Sequence, residues 1–216
     1  FLIVISFSGF SQILYPILEQ NPSNLRFKQI NILGKAVRII YPNGADSLAF
    51  TTARSLSIQW PSAKISTNNI RHQWSIILQN QGLISNGFIS LFAPRGEFYT
   101  TPSQEASLQS TNDWLNLLAS HETRHIYQNE LASTGISRIL QLFWGSNGQG
   151  LYSNLMIPNW LWEGDAIETE TRLNNQIGRS NIPQFSNTLN AYLWQFGVPH
   201  YSKLMSRNFR ENIADK

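Results

Sequence analysis

The spacing of apolar residues changes midway along the chain. In the first half they form short β-branched or aromatic runs closed by turn residues. Lys35 to Tyr41 ends at Pro42-Asn43-Gly44, which predicts a strand and a turn. His72 to Leu78 and Phe88 to Ala93 predict two more strands, the latter stopped by Pro94, and Glu97 to Thr100 a short fourth. Asp46 is placed to cap a helix reaching about Gln59, which Pro61 should end. Residues 11–34 are mixed, with turn signals at Asn21-Pro22-Ser23-Asn24 and Asn31-Ile32-Leu33-Gly34.

From Ser110 the period becomes helical. Trp114, Leu117, Leu118, His121, His125 and Gln128 fall on one stripe, behind Ser110 or Thr111 as a cap and Asp113 in the first turn. Ser133-Thr134-Gly135 should end this helix. Residues 136–157 are apolar but carry Gly145-Ser146-Asn147-Gly148-Gln149-Gly150, expected to be a flexible loop. Pro158 opens a second helix over 159–170, and a last one is expected at about 187–209, interrupted at Gly197-Val198-Pro199. Strands first and helices after predict an α+β fold. It would comprise a β-rich lobe at about 35–105 and a helical lobe at about 110–216, within one domain over 11–216.

Composition narrows the function classes. Hydrophobic residues make up 42% of the 216, enough for a folded core, and charged residues only 13%. The chain is mildly basic (net charge +3, pI near 9.3) with no Lys/Arg cluster, which argues against a nucleic-acid partner. There is no cysteine, so any metal must be held by histidine and carboxylate. The run Phe1 to Phe7, followed by Ser8-Gly9, resembles the apolar region of a signal peptide, and residues 1–10 are read as its remnant. A buried first strand is the other reading. The signal-peptide reading implies a secreted, periplasmic or cell-envelope protein, with membrane association only through that apolar segment. The chain ends at Glu211 to Lys216 without a helix stop, so a further C-terminal domain is expected.

The chemistry centres on His121-Glu122-Thr123-Arg124-His125. On a helix, residues four apart share a face, so both imidazoles can reach one metal ion. Glu122 lies about 100° round from His121, where it can meet a water on that metal. A catalytic zinc site needs a third protein ligand and an open position. Glu163, in Trp160-Leu161-Trp162-Glu163-Gly164, is the candidate for that ligand. Its distance in sequence leaves room for a loop and a return, and Gly164 allows close helix approach. Glu170 lies seven residues on, on the same face, and is a candidate to accept a hydrogen bond from a ligand histidine.

These two segments, with Ala166 and Glu170 completing the second, resemble the gluzincin metallopeptidases, in particular the peptidase MA group related to the M1 aminopeptidases. The resemblance implies a thermolysin-like zincin with the active-site helix between a mixed-sheet lobe and a helical lobe. It implies zinc held by His121, His125 and Glu163, with Glu122 as general base in peptide-bond hydrolysis, and a peptide or protein substrate. It makes Gly87, Phe88, Ile89 and Ser90 candidates for an edge strand that pairs the substrate backbone. The chain also resembles the peptidase-like N-terminal parts of envelope proteins that continue into a β-propeller. No G-x-M-x-N-type segment precedes the motif, which argues against aminopeptidase activity.

Several residues carry plainer expectations. Tyr192, His200 and Tyr201 are the available oxyanion donors, without a motif behind them. Arg124 is read as a surface or salt-bridging residue, Glu168 as part of an exposed acidic face near Arg172, and Trp160 and Trp162 as core. His72 and His200 are read as structural or exposed. The alternative to an enzyme is a non-catalytic zinc-binding or assembly domain of a larger cell-envelope protein.

Overall fold

The computed structural model describes residues 24–64, 70, 72–80, 82–91, 94–103, 113–174 and 177–200. The elements run β1 (Leu25–Ile32), β2 (Lys35–Pro42), α1 (Asp46–Ala63), β3 (Ser75–Gln79), β4 (Gly87–Ser90) and β5 (Arg95–Tyr99). They continue as α2 (Trp114–Ala132), α3 (Ile136–Met156), α4 (Asn159–Arg172), a 3₁₀ turn (Arg179–Asn181) and α5 (Pro183–Phe196). The fold is α+β, with a mixed five-stranded sheet in the order β1-β2-β3-β5-β4. The two central pairings, β2 with β3 and β3 with β5, are parallel, and the outer hairpins are antiparallel.

The core lies between one face of this sheet and two helices. Strand alternation turns Ile39, Ile76, Leu78 and Phe98 inward, with Ile39 beside Ile76 and Leu78 beside Phe98. Helix α1 adds Ala53, Leu56 and Trp60, and α2 adds Leu118, Ala119 and Ile126. Trp60 meets the edge of Tyr127 at a centroid distance of 6.2 Å, which seats α1 on α2. Unlike an amphipathic surface helix, α2 is buried on all sides from Leu117 to Glu130. One side faces the sheet and α1, and the other faces α4.

Several elements depart from the expectations. The sheet starts at Leu25, not Lys35. Strand β1 is exposed along nearly its whole length, so it has no inward face to impose alternation. It is held by full antiparallel register with β2 and by a two-residue turn, Leu33-Gly34, with φ of 50° and 77°. Such a turn needs positive φ at both positions, which matches strand twist but strains Leu33.

Pro61 does not end α1, which continues to Ala63. In the last turn a missing N–H costs one hydrogen bond, and Trp60 and Ala63 are both buried in the core beside it. Strand β4 stops at Ser90, short of Ala93, and β3 begins at Ser75 rather than His72. Asp113 is the cap of α2 itself: its carboxylate accepts from Leu115 N (3.1 Å) and Asn116 N (3.4 Å). Ser110 and Thr111 lie outside the described residues, as do residues 1–10.

The glycine-rich stretch at 145–150 is helical rather than a loop. Gly145, at φ 63° and ψ −157°, kinks α3, and the helix resumes beyond it. Gly148 is required by closeness, because a Cβ there would come within 2.6 Å of Leu140 O. Helix α3 is polar inward and apolar outward: Ser137, Gln149 and Ser153 are buried, while Leu142, Phe143 and Trp144 are 82%, 71% and 65% exposed. Helix α5 begins at Pro183, where a proline is favoured in the first turn, and ends at Gly197 with φ 73°. Among the described residues no helix is long and apolar enough to cross a membrane.

The left-handed backbone at Leu33 costs an L-residue about 1 kcal/mol or more. Leu33→Asn is therefore expected to raise the urea midpoint of unfolding, and a midpoint unchanged or lowered would refute the strain assigned to that turn.

Candidate metal centre

Helix α2 carries the two histidines and is tied down at its start. Its Asp113 cap holds the first turn, and Trp114 Nε1 donates to Tyr99 O (2.8 Å) at the end of β5. One turn apart on the face away from the core, the His121 and His125 rings meet edge to face at 4.7 Å. Helix α4 packs across this face and delivers Glu163. The three donor atoms form a nearly equilateral triangle. His121 Nε2 and His125 Nε2 are 3.1 Å apart, and Glu163 Oε2 lies 3.3 Å from the first and 3.5 Å from the second. Ligands at about 2.0–2.1 Å from a tetrahedral zinc stand about 3.3 Å from one another. The triangle thus has the size of one face of such a tetrahedron, and the donors are the nitrogen and oxygen ligands that zinc takes.

Each imidazole is also held from behind. His121 Nδ1 lies 3.1 Å from Glu170 Oε2, so the carboxylate proposed from sequence does reach a ligand histidine. Glu170 is fully buried, and Arg179 grips it from the loop after α4 through Nε to Oε1 (2.5 Å) and Nη2 to Oε2 (2.8 Å). The same Nη2 is 2.9 Å from His121 Nδ1. A guanidinium only donates, so Glu170 Oε2 is the shared acceptor when Nδ1 carries its proton. His125 Nδ1 lies 2.6 Å from Gln128 Oε1, and its ring stacks on Trp162 at 6.2 Å. The carboxylate–imidazole–metal pattern of zinc sites has this form.

The carboxylates are differentiated by their surroundings. Burial pushes Glu122 above the ordinary carboxylate range, against the pull of the two imidazoles. Its Oε2 is buried with no hydrogen-bond partner among the described residues. Burial alone would also raise Glu163, but the hydrogen bonds from His121 and His125 hold it below the ordinary range. Glu170 is lowered despite its burial by His121 and Arg179. Burial opposes a charge on His121, yet the hydrogen bonds to Glu163 and Glu170 raise its pKa to about 9 in the metal-free protein.

The start of β4 lies over Glu122: a Cβ on Gly87 would come within 2.8 Å of Glu122 Oε1 and 2.6 Å of Leu118 Cδ1. Any larger residue there would displace the ends of the Leu118 and Glu122 side chains. Gly87, Phe88, Ile89 and Ser90 form a terminal strand of the sheet, paired with β5 on one side. Tyr192 is on α5 with its ring against Phe196 (4.9 Å), His200 is exposed beyond that helix, and Tyr201 lies outside the described residues.

Arg124 is buried, not a surface residue. It forms a two-pronged pair with Asp165, through Nε to Oδ2 (2.6 Å) and Nη2 to Oδ1 (2.9 Å), and its Nη1 donates to Ala63 O (2.9 Å). Glu168 does pair with Arg172 on an exposed face. His72 is structural: its backbone N and Nδ1 both meet buried Glu130 Oε1, at 3.1 and 2.9 Å. Sequence reading assigned no role to Asp165 or Arg179 and placed Gln128 only on a buried stripe. The available signal was positional: Gln128 is three residues after His125, and Asp165 two after Glu163. Arg179 had none, because it arrives from a loop.

In comparisons with protein-family models, with curated proteins and with solved structures, nothing matches this chain.

The raised His121 pKa makes a pH prediction for the metal-free protein. The stabilisation is full below the unfolded histidine value of about 6.5 and is lost as pH rises through about 9. With chelator present, the melting temperature of wild type should fall across that window relative to His121→Gln. Parallel profiles for the two proteins would refute the assignment.

Proposed function

We propose that this chain is a zinc-dependent peptide-bond hydrolase of gluzincin type, with a thermolysin-like arrangement of sheet, active-site helix and third-ligand helix. The observation that carries it is the triangle of His121, His125 and Glu163 donors with the buried Glu122 carboxylate beside it, whose Oε2 has no hydrogen-bond partner among the described residues. His121, His125 and Glu163 are the residues that would hold the ion. When bound, zinc supplies a Lewis acid and lowers the pKa of coordinated water from about 15.7 toward 7.

The chain's own groups do the rest. Glu122 takes a proton from the attacking water and carries it to the leaving amine, work suited to a carboxyl whose pKa is raised by burial. The terminal strand β4 offers backbone groups to an extended peptide, and Gly87 brings that strand onto Glu122. Glu170 and Gln128 keep both imidazoles oriented with Nε2 forward. The apolar opening segment supports action outside the cytoplasm.

A second reading, a non-catalytic zinc-binding assembly domain, draws on the outward apolar face of α3. A digest of a peptide library with and without chelator separates the two. The enzyme reading expects chelator-sensitive cleavage by wild type. It also expects Glu122→Gln to keep its zinc but lose about 10²–10⁴-fold in rate, because the variant spares the ligands and deletes the base. Zinc-loaded wild type that cleaves no peptide, or Glu122→Gln that cleaves like wild type, would overturn it.

A further inference from the structure

We propose that Gln128, clamped from α4 by Asp165 and the Trp162 carbonyl, is a positioning residue that keeps His125 Nε2 turned toward the metal cluster. The inference rests on the zinc reading above.

The two ends of a glutamine amide differ in what they do: the oxygen accepts and the nitrogen donates. At Gln128 the surroundings dictate which end points where. Nε2 lies 2.8 Å from Trp162 O and 2.7 Å from Asp165 Oδ2, and a carbonyl and an ionised carboxylate both only accept. The amide nitrogen must therefore face α4, and Oε1 must face His125 Nδ1 at 2.6 Å. An amide oxygen takes a proton but gives none. Nδ1 therefore carries the hydrogen, and the Nε2 lone pair is left for the cluster.

Asp165 is itself fixed. Arg124 holds both of its oxygens and reaches on to Ala63 O at the end of α1. A continuous hydrogen-bonded path thus runs from α1 through Arg124, Asp165 and Gln128 to a ligand imidazole. Trp162 and Asp165 flank Glu163 in sequence. The contact that orients His125 therefore also sets how far the glutamate helix stands from the histidine helix. The acceptor is neutral here, whereas His121 has a carboxylate. With Glu122, Glu163 and Glu170 already in the cluster, a neutral amide orients the second histidine without adding a further negative charge.

Zinc affinity by chelator competition and the visible spectrum of the cobalt-substituted protein test this, on wild type and Gln128→Met. That variant keeps the side-chain volume and removes the acceptor. The expectation is about 10–100-fold weaker zinc binding with a shifted cobalt spectrum. Normal zinc uptake by wild type with Gln128→Met within twofold of it overturns the positioning role alone. No zinc uptake by wild type overturns the metal reading itself. Should Gln128→Met fail to fold, nitrogen NMR of zinc-loaded wild type decides. Metal on His125 Nε2 with an exchange-protected Nδ1 proton supports the role, and metal on Nδ1 overturns it.

Discussion

The site depends on a polar contact between two helices, α2 and α4, that meet beside the triangle of His121, His125 and Glu163. Arg124 and Asp165 form its spine, with Gln128 alongside. A buried ion pair repays desolvation only when its geometry is good and its remaining donors are used. This one meets both conditions: it is two-pronged, and the third guanidinium nitrogen ends on a backbone carbonyl. Removing Asp165 would take the paired carboxylate from the buried Arg124 charge and leave it the Ala63 carbonyl, and removing Arg124 would leave the part-exposed Asp165 carboxylate with Gln128. The contact also has a consequence that an apolar seam lacks. Apolar packing tolerates small slides, whereas directional hydrogen bonds fix the helices in register, and the ligand triangle needs a fixed register.

Separate partners explain how so many titratable groups share one small volume. Glu122 and Glu163 lie beside both imidazoles and Glu170 beside that of His121, yet each has a different counterpart. Glu163 takes both Nε2 atoms, Glu170 takes Arg179 and an Nδ1, and Glu122 Oε2 has no hydrogen-bond partner among the described residues. Their pKa values are driven apart accordingly, Glu122 upward and the others downward. Glu163 and Glu170 are thereby held as hydrogen-bond acceptors, and Glu122 is the carboxyl that the proposed hydrolysis would use to exchange a proton. In the metal-free protein His121 answers the surplus negative charge by holding a proton up to a pKa of about 9. A divalent cation between the same atoms would answer it without that proton.

The legible parts of the sequence were those governed by local spacing. The helix stripe through His121 and His125, the glycine stop at Gly135, and the turn after β2 follow from periods and dihedral preferences that act within a few residues. The misread parts were those whose environment breaks the usual pattern. Strand β1 has no buried face, so it shows no alternation. Gly148 marks a tight approach within α3, although glycines in a row suggest a loop. For Arg124 the salt-bridge reading holds and the surface reading does not, because its partner Asp165 lies on another helix. Pro61 looked like a stop because the core contacts of its neighbours Trp60 and Ala63 lie outside the local window.

By itself, the sequence determined which atoms are available and which can share a helix face. Two imidazoles four residues apart and no cysteine restrict the ligand chemistry before any fold is known. The tertiary structure brought Glu163, already the candidate from sequence, to the two histidines, and it alone decided that Gln128 and Arg179 stand behind them and that Gly87 brings β4 onto Glu122. The physical reason is range. A helical period acts over a few residues and can be read from spacing. A hydrogen bond between α2 and α4 depends on a helix separation set by packing along the whole chain.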